Sequence, residues 1–178
     1  LGQRQKWIAA RNASMRDLEF PYGEFRPGQR DMAVSVYRAV ADDRQLIIEA
    51  PTGIGKTMAT LYPSIKAMES SAASRVFYLS AKTSTQALAQ IALKDLTVAG
   101  GSLRSIVITS KEKTCFSPGQ PCHPDHCEYA KGYYDQVQDT IDTMLGEAEH
   151  FDRSTIEFAA RRDQVCPFEL SLDLSRSC

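Results

Sequence analysis

Residues 48–57 carry the residue types and the spacing of a phosphate-binding loop; they read Ile-Glu-Ala-Pro-Thr-Gly-Ile-Gly-Lys-Thr. Gly53 and Gly55 would let backbone N–H groups turn toward a polyphosphate. Lys56 would place a positive charge at the β and γ phosphates, and Thr57 would offer a hydroxyl to Mg²⁺. We therefore predict a nucleotide and Mg²⁺ site, in which Lys56 and Thr57 are the catalytic residues.

The sequence on either side of this loop agrees with the prediction. Residues 45–49 form a short apolar run typical of a buried parallel strand, and the residues after Lys56 can continue as a helix. Ala50 stands where the usual pattern has a first glycine, so a chance match is the alternative interpretation. The residues predicted to contact the nucleotide along the loop are Ala50, Pro51, Thr52, Gly53, Ile54, Gly55, Lys56 and Thr57.

Four cysteines, Cys115, Cys122, Cys127 and Cys166, form a second group that could do chemistry. The sequence has no charged-then-apolar leader, so we expect a reducing cytoplasm, where thiols bind metals more often than they form disulfides. Three of the four fall within thirteen residues of polar, proline-rich sequence that could bury little else. The fifth, Cys178, is predicted to be a structural thiol.

The spacing of the four cysteines favours a cluster over a single ion. It is not the paired C-x2-C of zinc ribbons, and the prolines and glycine of residues 118–124 would fold the first three into tight loops. Four thiolates suit a [4Fe-4S] cluster. Zinc remains the alternative, because His123 and His126 lie among the cysteines and could replace one of them.

Taken together, these motifs resemble the superfamily 2 iron-sulfur DNA helicases typified by XPD and DinG. Residues 25–30 resemble the adenine-reading Q motif of that family, and residues 78–83 resemble motif Ia, which touches the DNA backbone. Residues 109–115 resemble the entry into its cluster domain, and residues 166–169 resemble the exit. The similarity covers roughly residues 20–178, and helicases of this kind commonly begin the phosphate loop with alanine.

The resemblance implies further properties. Gln29 would hydrogen-bond the adenine of ATP, and the four cysteines would hold a [4Fe-4S] cluster. The full protein would move 5′ to 3′ on single-stranded or forked DNA in a bacterial-type cytoplasm. The sequence lacks an Asp-Glu-x-His box and room for a second motor domain. We therefore expect an amino-terminal fragment that does not unwind DNA alone.

The predicted fold class is α/β: a RecA-like P-loop parallel sheet with helices on both faces, plus a mainly helical iron-sulfur insertion. Strands are expected at 45–49, 75–79 and 105–108, alternating with helices. Helices are expected at about 4–19, 27–41, 57–68 and 85–96, and Met32, Val36 and Val40 form an i, i+4 row on the second of them. No strand is expected between Lys111 and Cys166, where 133–145 and 155–162 are expected to be helical. The predicted segments are an N-terminal helical segment at 1–20, the first motor domain at 21–110, the cluster domain at 111–170, and a truncated return toward the motor domain at 171–178. No apolar stretch approaches the length of a membrane span.

A net charge of −1 gives no global signal for nucleic acid, so DNA contacts must come from local patches. The basic residues near the cysteines are candidates for such a patch, with an ordinary solvated face as the alternative: Lys111, Lys113, Lys131, Arg161 and Arg162. Tyr129, Tyr133 and Tyr134 could stack on bases, but at their helical spacing we expect them to pack onto the cluster.

Two other functions share these motifs. An iron-sulfur carrier ATPase also has a phosphate loop and cysteines, but usually with an extra early lysine and a C-x-x-C shared across a dimer. Neither feature occurs here. The second is a zinc-stabilised nucleotide-binding module without motor function.

Overall fold

The computed structural model describes residues 3–178, apart from the side chains of Gln3, Arg4 and Thr83, and it divides into two compact units. The first unit is Leu1–Leu103 and the second is Arg104–Cys178. The first two residues of the predicted segment 1–20 lie outside the described residues. The boundary falls seven residues before the predicted start of the cluster domain.

The first unit is built from helices, and they follow the predicted positions closely. They are α1 (Gln3–Asp17), α2 (Gln29–Ala41), α3 (Lys56–Ala67) and α4 (Thr83–Val98). Met32 and Val36 lie four residues apart on α2, and both are buried, as their helical spacing predicted. The core of the unit comprises Met15, Leu18, Met58, Leu61, Ile65, Met68, Ala89, Ala92, Leu96 and Leu103. This core fixes α3, and therefore the loop that precedes it.

The sheet predicted for this unit is not formed by its described residues. Residues 45–49 and 75–79 are assigned to neither strand nor helix. Their apolar side chains face solvent: Ile47 is 99% exposed and Leu79 is 90% exposed. An apolar run becomes a parallel strand only when a neighbouring strand supplies its hydrogen bonds. The sequence pattern identified segments suited to strands but not the pairing that a strand requires.

The second unit contains the only strand pair among the described residues. β1 (Ser105–Ile106) pairs in parallel with β2 (His150–Phe151), so that Ser105 lies opposite His150 and Ile106 opposite Phe151. The predicted third strand, 105–108, therefore pairs inside this unit. We predicted no strand between Lys111 and Cys166, and β2 corrects that prediction.

The helices of the second unit are α5 (Lys111–Thr114), α6 (Tyr133–Glu147), α7 (Arg153–Arg162) and α8 (Pro167–Ser175). Asp152 caps α7, because its carboxylate accepts the Thr155 N–H at 2.9 Å; hydrogen bonds from Ser154 and Thr155 lower the pKa of this carboxyl. Pro167 begins α8, a position where the missing N–H costs nothing. In the described part of the chain, no helix is both long and apolar enough to cross a bilayer.

Candidate functional site

The phosphate loop leads directly into α3, whose first residue is Lys56. Gly53 has φ +89° and Gly55 has φ +85°, in the left-handed region that favours glycine. Both glycines of the motif are therefore required by the backbone. The N–H groups at the start of a helix lack partners within that helix, and those of α3 open toward the loop. This geometry suits an anion such as a nucleotide phosphate.

Lys56 and Thr57 occupy the first turn of α3. The Lys56 Nζ donates to the carbonyl oxygens of Ala50 at 3.0 Å and Pro51 at 2.7 Å, so the ammonium group lies across the loop. The Thr57 Oγ1 lies 3.5 Å from the hydroxyl of Tyr78, within the segment that resembles motif Ia. The two predicted catalytic residues thus lie where the loop meets α3.

The segment that resembles the Q motif runs beside the loop. The Arg26 Nη1 donates to the Gly53 carbonyl oxygen at 2.7 Å. The Gln29 Nε2 donates to the Gly55 carbonyl oxygen at 3.3 Å, and the Gln29 Oε1 accepts the Arg26 N–H at 3.0 Å. Gln29 is only 2% exposed. These bonds use one N–H and one oxygen lone pair of the amide, and its burial leaves little of it accessible to an adenine.

An aromatic group beside this segment was not identified from the sequence. Phe20 and Phe25 stack with ring centroids 3.9 Å apart, and Phe20 also contacts the edge of Tyr62. The Tyr22 hydroxyl donates to the carboxylate of Asp95 at 2.6 Å, and this bond raises the pKa of Tyr22. The signal available in the sequence was the density of aromatic residues between positions 20 and 25. The group anchors the chain just before Arg26.

The cysteines predicted to bind metal all lie in the second unit, as free thiols. Cys115 ends α5, and its N–H donates to the Lys111 carbonyl oxygen at 2.9 Å. Cys166 is the N-cap of α8 and is half-buried; burial raises the pKa of its thiol. Cys122 and Cys127 lie in the loop between α5 and α6. A short helix, a loop and a helix N-terminus therefore carry the four thiols.

Electrostatic interactions connect three of these segments. A hydrogen bond to Cys122 raises the pKa of Lys111, and Cys166 adds a smaller contribution of the same sign. Cys127 likewise contributes to the raised pKa of Cys166. The thiols of Cys122, Cys127 and Cys166 thus act on one another or on a shared lysine. The segments that carry Cys122, Cys127 and Cys166 therefore lie in one region of the second unit, although Cys122 and Cys166 are 44 residues apart in the sequence.

The four cysteines, together with His123 and His126, are the side chains available to the predicted zinc ion or iron-sulfur cluster. Within the described residues, no three His, Cys, Asp or Glu side chains are close enough to hold one metal ion. A zinc site needs its ligands around a single ion, whereas each thiolate of a [4Fe-4S] cluster binds a different iron, so the sulfurs stand farther apart. His123 is exposed, and its Nδ1 lies 3.3 Å from the Asp125 carboxylate. Among the described residues, the four thiols are therefore not arranged around a single ion.

The basic residues predicted to contact DNA differ in the contacts that they make. The Arg161 guanidinium lies 3.9 Å from the ring centroid of Phe116, which also contacts Tyr129. Arg162 binds the carboxylate of Asp163, which raises the pKa of Arg162. Lys113 and Lys131 are exposed. The prediction of a strand-guiding face therefore fits these two lysines better than it fits the paired Arg162.

The three tyrosines also differ from one another. Tyr133 is 6% exposed and donates to the Asp173 carboxylate at 2.9 Å, so it packs inside the second unit, and its packing onto a cluster stays a prediction. Tyr129 packs against Phe116. Tyr134 is 88% exposed, and the expectation was wrong for this residue. Neighbouring positions on α6 point about 100° apart, so both cannot face the core.

Two comparisons with known proteins agree with this geometry. Residues 26–117, just over half of the chain, match the family described as DEAD/DEAH box helicase. A 47-residue stretch is 43% identical to the probable ATP-dependent helicase MJ0942 of Methanocaldococcus jannaschii. That alignment covers 26% of this chain and 7% of the archaeal protein. No solved structure matches the chain.

Proposed function

Because the chain belongs to the DEAD/DEAH box helicase family, we propose that it supplies the first motor domain and the cluster domain of an iron-sulfur DNA helicase of the XPD/DinG type. Membership of the family implies a RecA-like, helicase-type ATP-binding domain that uses ATP and Mg²⁺ and acts on nucleic acid. The iron-sulfur cluster, the DNA substrate and the 5′ to 3′ direction belong to the proposal.

In this proposal the first unit binds ATP. The loop of residues 50–57 wraps the phosphates with backbone N–H groups, Lys56 neutralises charge at the β and γ phosphates, and Thr57 holds Mg²⁺. Gln29 belongs to the same nucleotide site. Residues 45–49 and 75–79 are strands of the parallel sheet in the full-length protein. Their exposed apolar side chains, such as Ile47 and Leu79, support that assignment because burial in a sheet would remove them from water.

The second unit holds the cluster in this proposal. Cys115, Cys122, Cys127 and Cys166 would be its ligands, and a bound [4Fe-4S] group would supply four iron–sulfur cross-links between chain segments. The observation that supports the proposal is that four cysteines follow a helicase phosphate loop in one chain and all lie in the second unit, three of them within thirteen residues. A protein with such a cluster would work in a reducing cytoplasm.

The DNA would contact both units. Residues 78–83 would touch the backbone of a single strand, and the exposed Lys113 and Lys131 would offset the negative charge of the cluster beside the DNA phosphates. Both sets of contacts are sequence-independent, as expected for a protein that moves along its substrate.

The proposal is tested by strand separation with the full-length protein. We expect ATP-dependent unwinding of forked DNA with a 5′ single-stranded tail, and ATP hydrolysis that single-stranded DNA stimulates. A blunt duplex serves as the control substrate and should remain paired. Unwinding only from a 3′ tail would contradict the proposed direction, and stimulation by RNA but not DNA would contradict the substrate.

A further inference from the structure

Arg26 makes a contact that joins the start of α2 to the phosphate loop. Its Nη1 donates to the Gly53 carbonyl oxygen at 2.7 Å, a short charge-assisted hydrogen bond. The side chain is exposed, so it supports no apolar core. The bond spans 27 positions of the sequence. Its partner is a backbone atom of the loop that would surround the nucleotide phosphates.

Two further contacts follow Arg26 in order along the chain. Gly28 lies against the side chain of Ile54, because a Cβ built on Gly28 would be 3.1 Å from the Ile54 Cδ1. Gly55 lies against the amide of Gln29, because a Cβ built on Gly55 would overlap the Gln29 Nε2. Residues 26–29 therefore run alongside residues 53–55 in the same direction. Gln29 also donates to the Gly55 carbonyl oxygen. The loop is held from outside by hydrogen bonds to two of its carbonyl groups.

These bonds control where the loop N–H groups point. In a planar trans peptide, the C=O of one residue and the N–H of the next point in opposite directions. Holding the Gly53 carbonyl on Arg26 therefore aims the Ile54 N–H to the other side of the loop. Holding the Gly55 carbonyl on Gln29 does the same for the Lys56 N–H. Backbone N–H groups aimed inward are what binds polyphosphate in such a loop.

We propose that Arg26 is a positioning residue of the phosphate loop, acting through the Gly53 carbonyl on the bound polyphosphate and not on the nucleotide base. This assignment rests on ATP binding by the loop and is independent of the cluster. Arg26 and the loop both belong to the first unit, so protein without iron can be used to test it.

The test compares ATP with inorganic tripolyphosphate, which has the phosphates but no base. Each displaces a fluorescent ATP analogue from the full chain in the presence of Mg²⁺. We expect R26Q to weaken the binding of both ligands by the same factor, about tenfold, because one charge-assisted hydrogen bond is lost. R26K keeps a cationic donor and should stay within about threefold of the unaltered protein. R38Q removes an exposed arginine in the last turn of α2, outside residues 25–30, and should change neither affinity.

Three results would overturn the assignment. R26Q could weaken ATP binding and leave tripolyphosphate binding unchanged, which would show that Arg26 contacts the base. R26Q could leave both affinities at the level of R38Q. Tripolyphosphate could fail to displace the analogue from the unaltered chain. Thermal unfolding of each variant identifies a temperature at which all variants are folded, and both affinities are measured at that temperature. The ratio of the ATP affinity to the tripolyphosphate affinity then shows whether Arg26 acts on the phosphates or on the base.

Discussion

Replacing Lys56 by alanine should reduce ATP hydrolysis by the full-length protein about 100-fold or more. The ammonium group lies across the loop, 3.0 Å and 2.7 Å from the carbonyl oxygens of Ala50 and Pro51, where it can meet a phosphate. A cation aimed at charge that develops in the transition state contributes at least this much in comparable sites. The measurement is the steady-state ATPase rate with saturating single-stranded DNA.

Lys94→Ala provides the matched control for this prediction. Lys94 is also exposed, but it lies on α4, away from the loop in sequence. We expect its variant to keep the ATPase rate within about twofold, because isolated surface charges contribute little. ATP hydrolysis that persists in Lys56→Ala at the level of Lys94→Ala would refute the assignment of the phosphate loop.

Replacing any one of Cys115, Cys122, Cys127 and Cys166 by serine should strip most of the iron from the protein. Each variant removes one of four thiolates, and an alcohol is a poor ligand for iron in a cluster. ATP affinity should remain within about threefold, because the loop lies in the first unit and the cysteines lie in the second. Iron per chain and nucleotide affinity are measured on the same anaerobic preparations. Forked-duplex unwinding should fail in all four.

Cys178→Ser is the control for the cysteine series. Its Sγ lies 3.7 Å from the Leu174 carbonyl oxygen and packs beside the apolar core of the second unit. We expect this variant to retain its iron. Loss of iron in Cys178→Ser, together with retention in one of the other four, would show that the ligand set is wrong. Normal unwinding by all four cluster variants would show that unwinding does not require the cluster.

The sequence predicted the helices well because their signals are local. The row of Met32 and Val36 identifies the buried face of α2, and the glycine-rich loop locates the start of α3 within one residue. The strands depended on partners that no local pattern specifies. Residues 45–49 have the composition of a strand, yet their described neighbours do not pair with them. β2 was missed because a two-residue strand leaves almost no periodic signal.

The two glycines of the phosphate loop were predictable because their role depends on spacing within one segment. The roles of the four cysteines stay predictions. The contacts of Arg26 with Gly53 and of Tyr22 with Asp95 join segments 27 and 73 positions apart. No pattern within either segment specifies its partner. The exposure of Tyr134 follows from how α6 packs, which depends on the core of the whole unit.

Metal analysis of protein purified without exposure to oxygen tests most directly whether this helicase-family chain carries an iron-sulfur cluster. We expect a brown protein with about four iron per chain and broad absorbance at about 400 nm. Oxidation of the thiols in air would remove the metal, so the preparation must remain anaerobic throughout. Stoichiometric zinc without iron in such a preparation would contradict the claim.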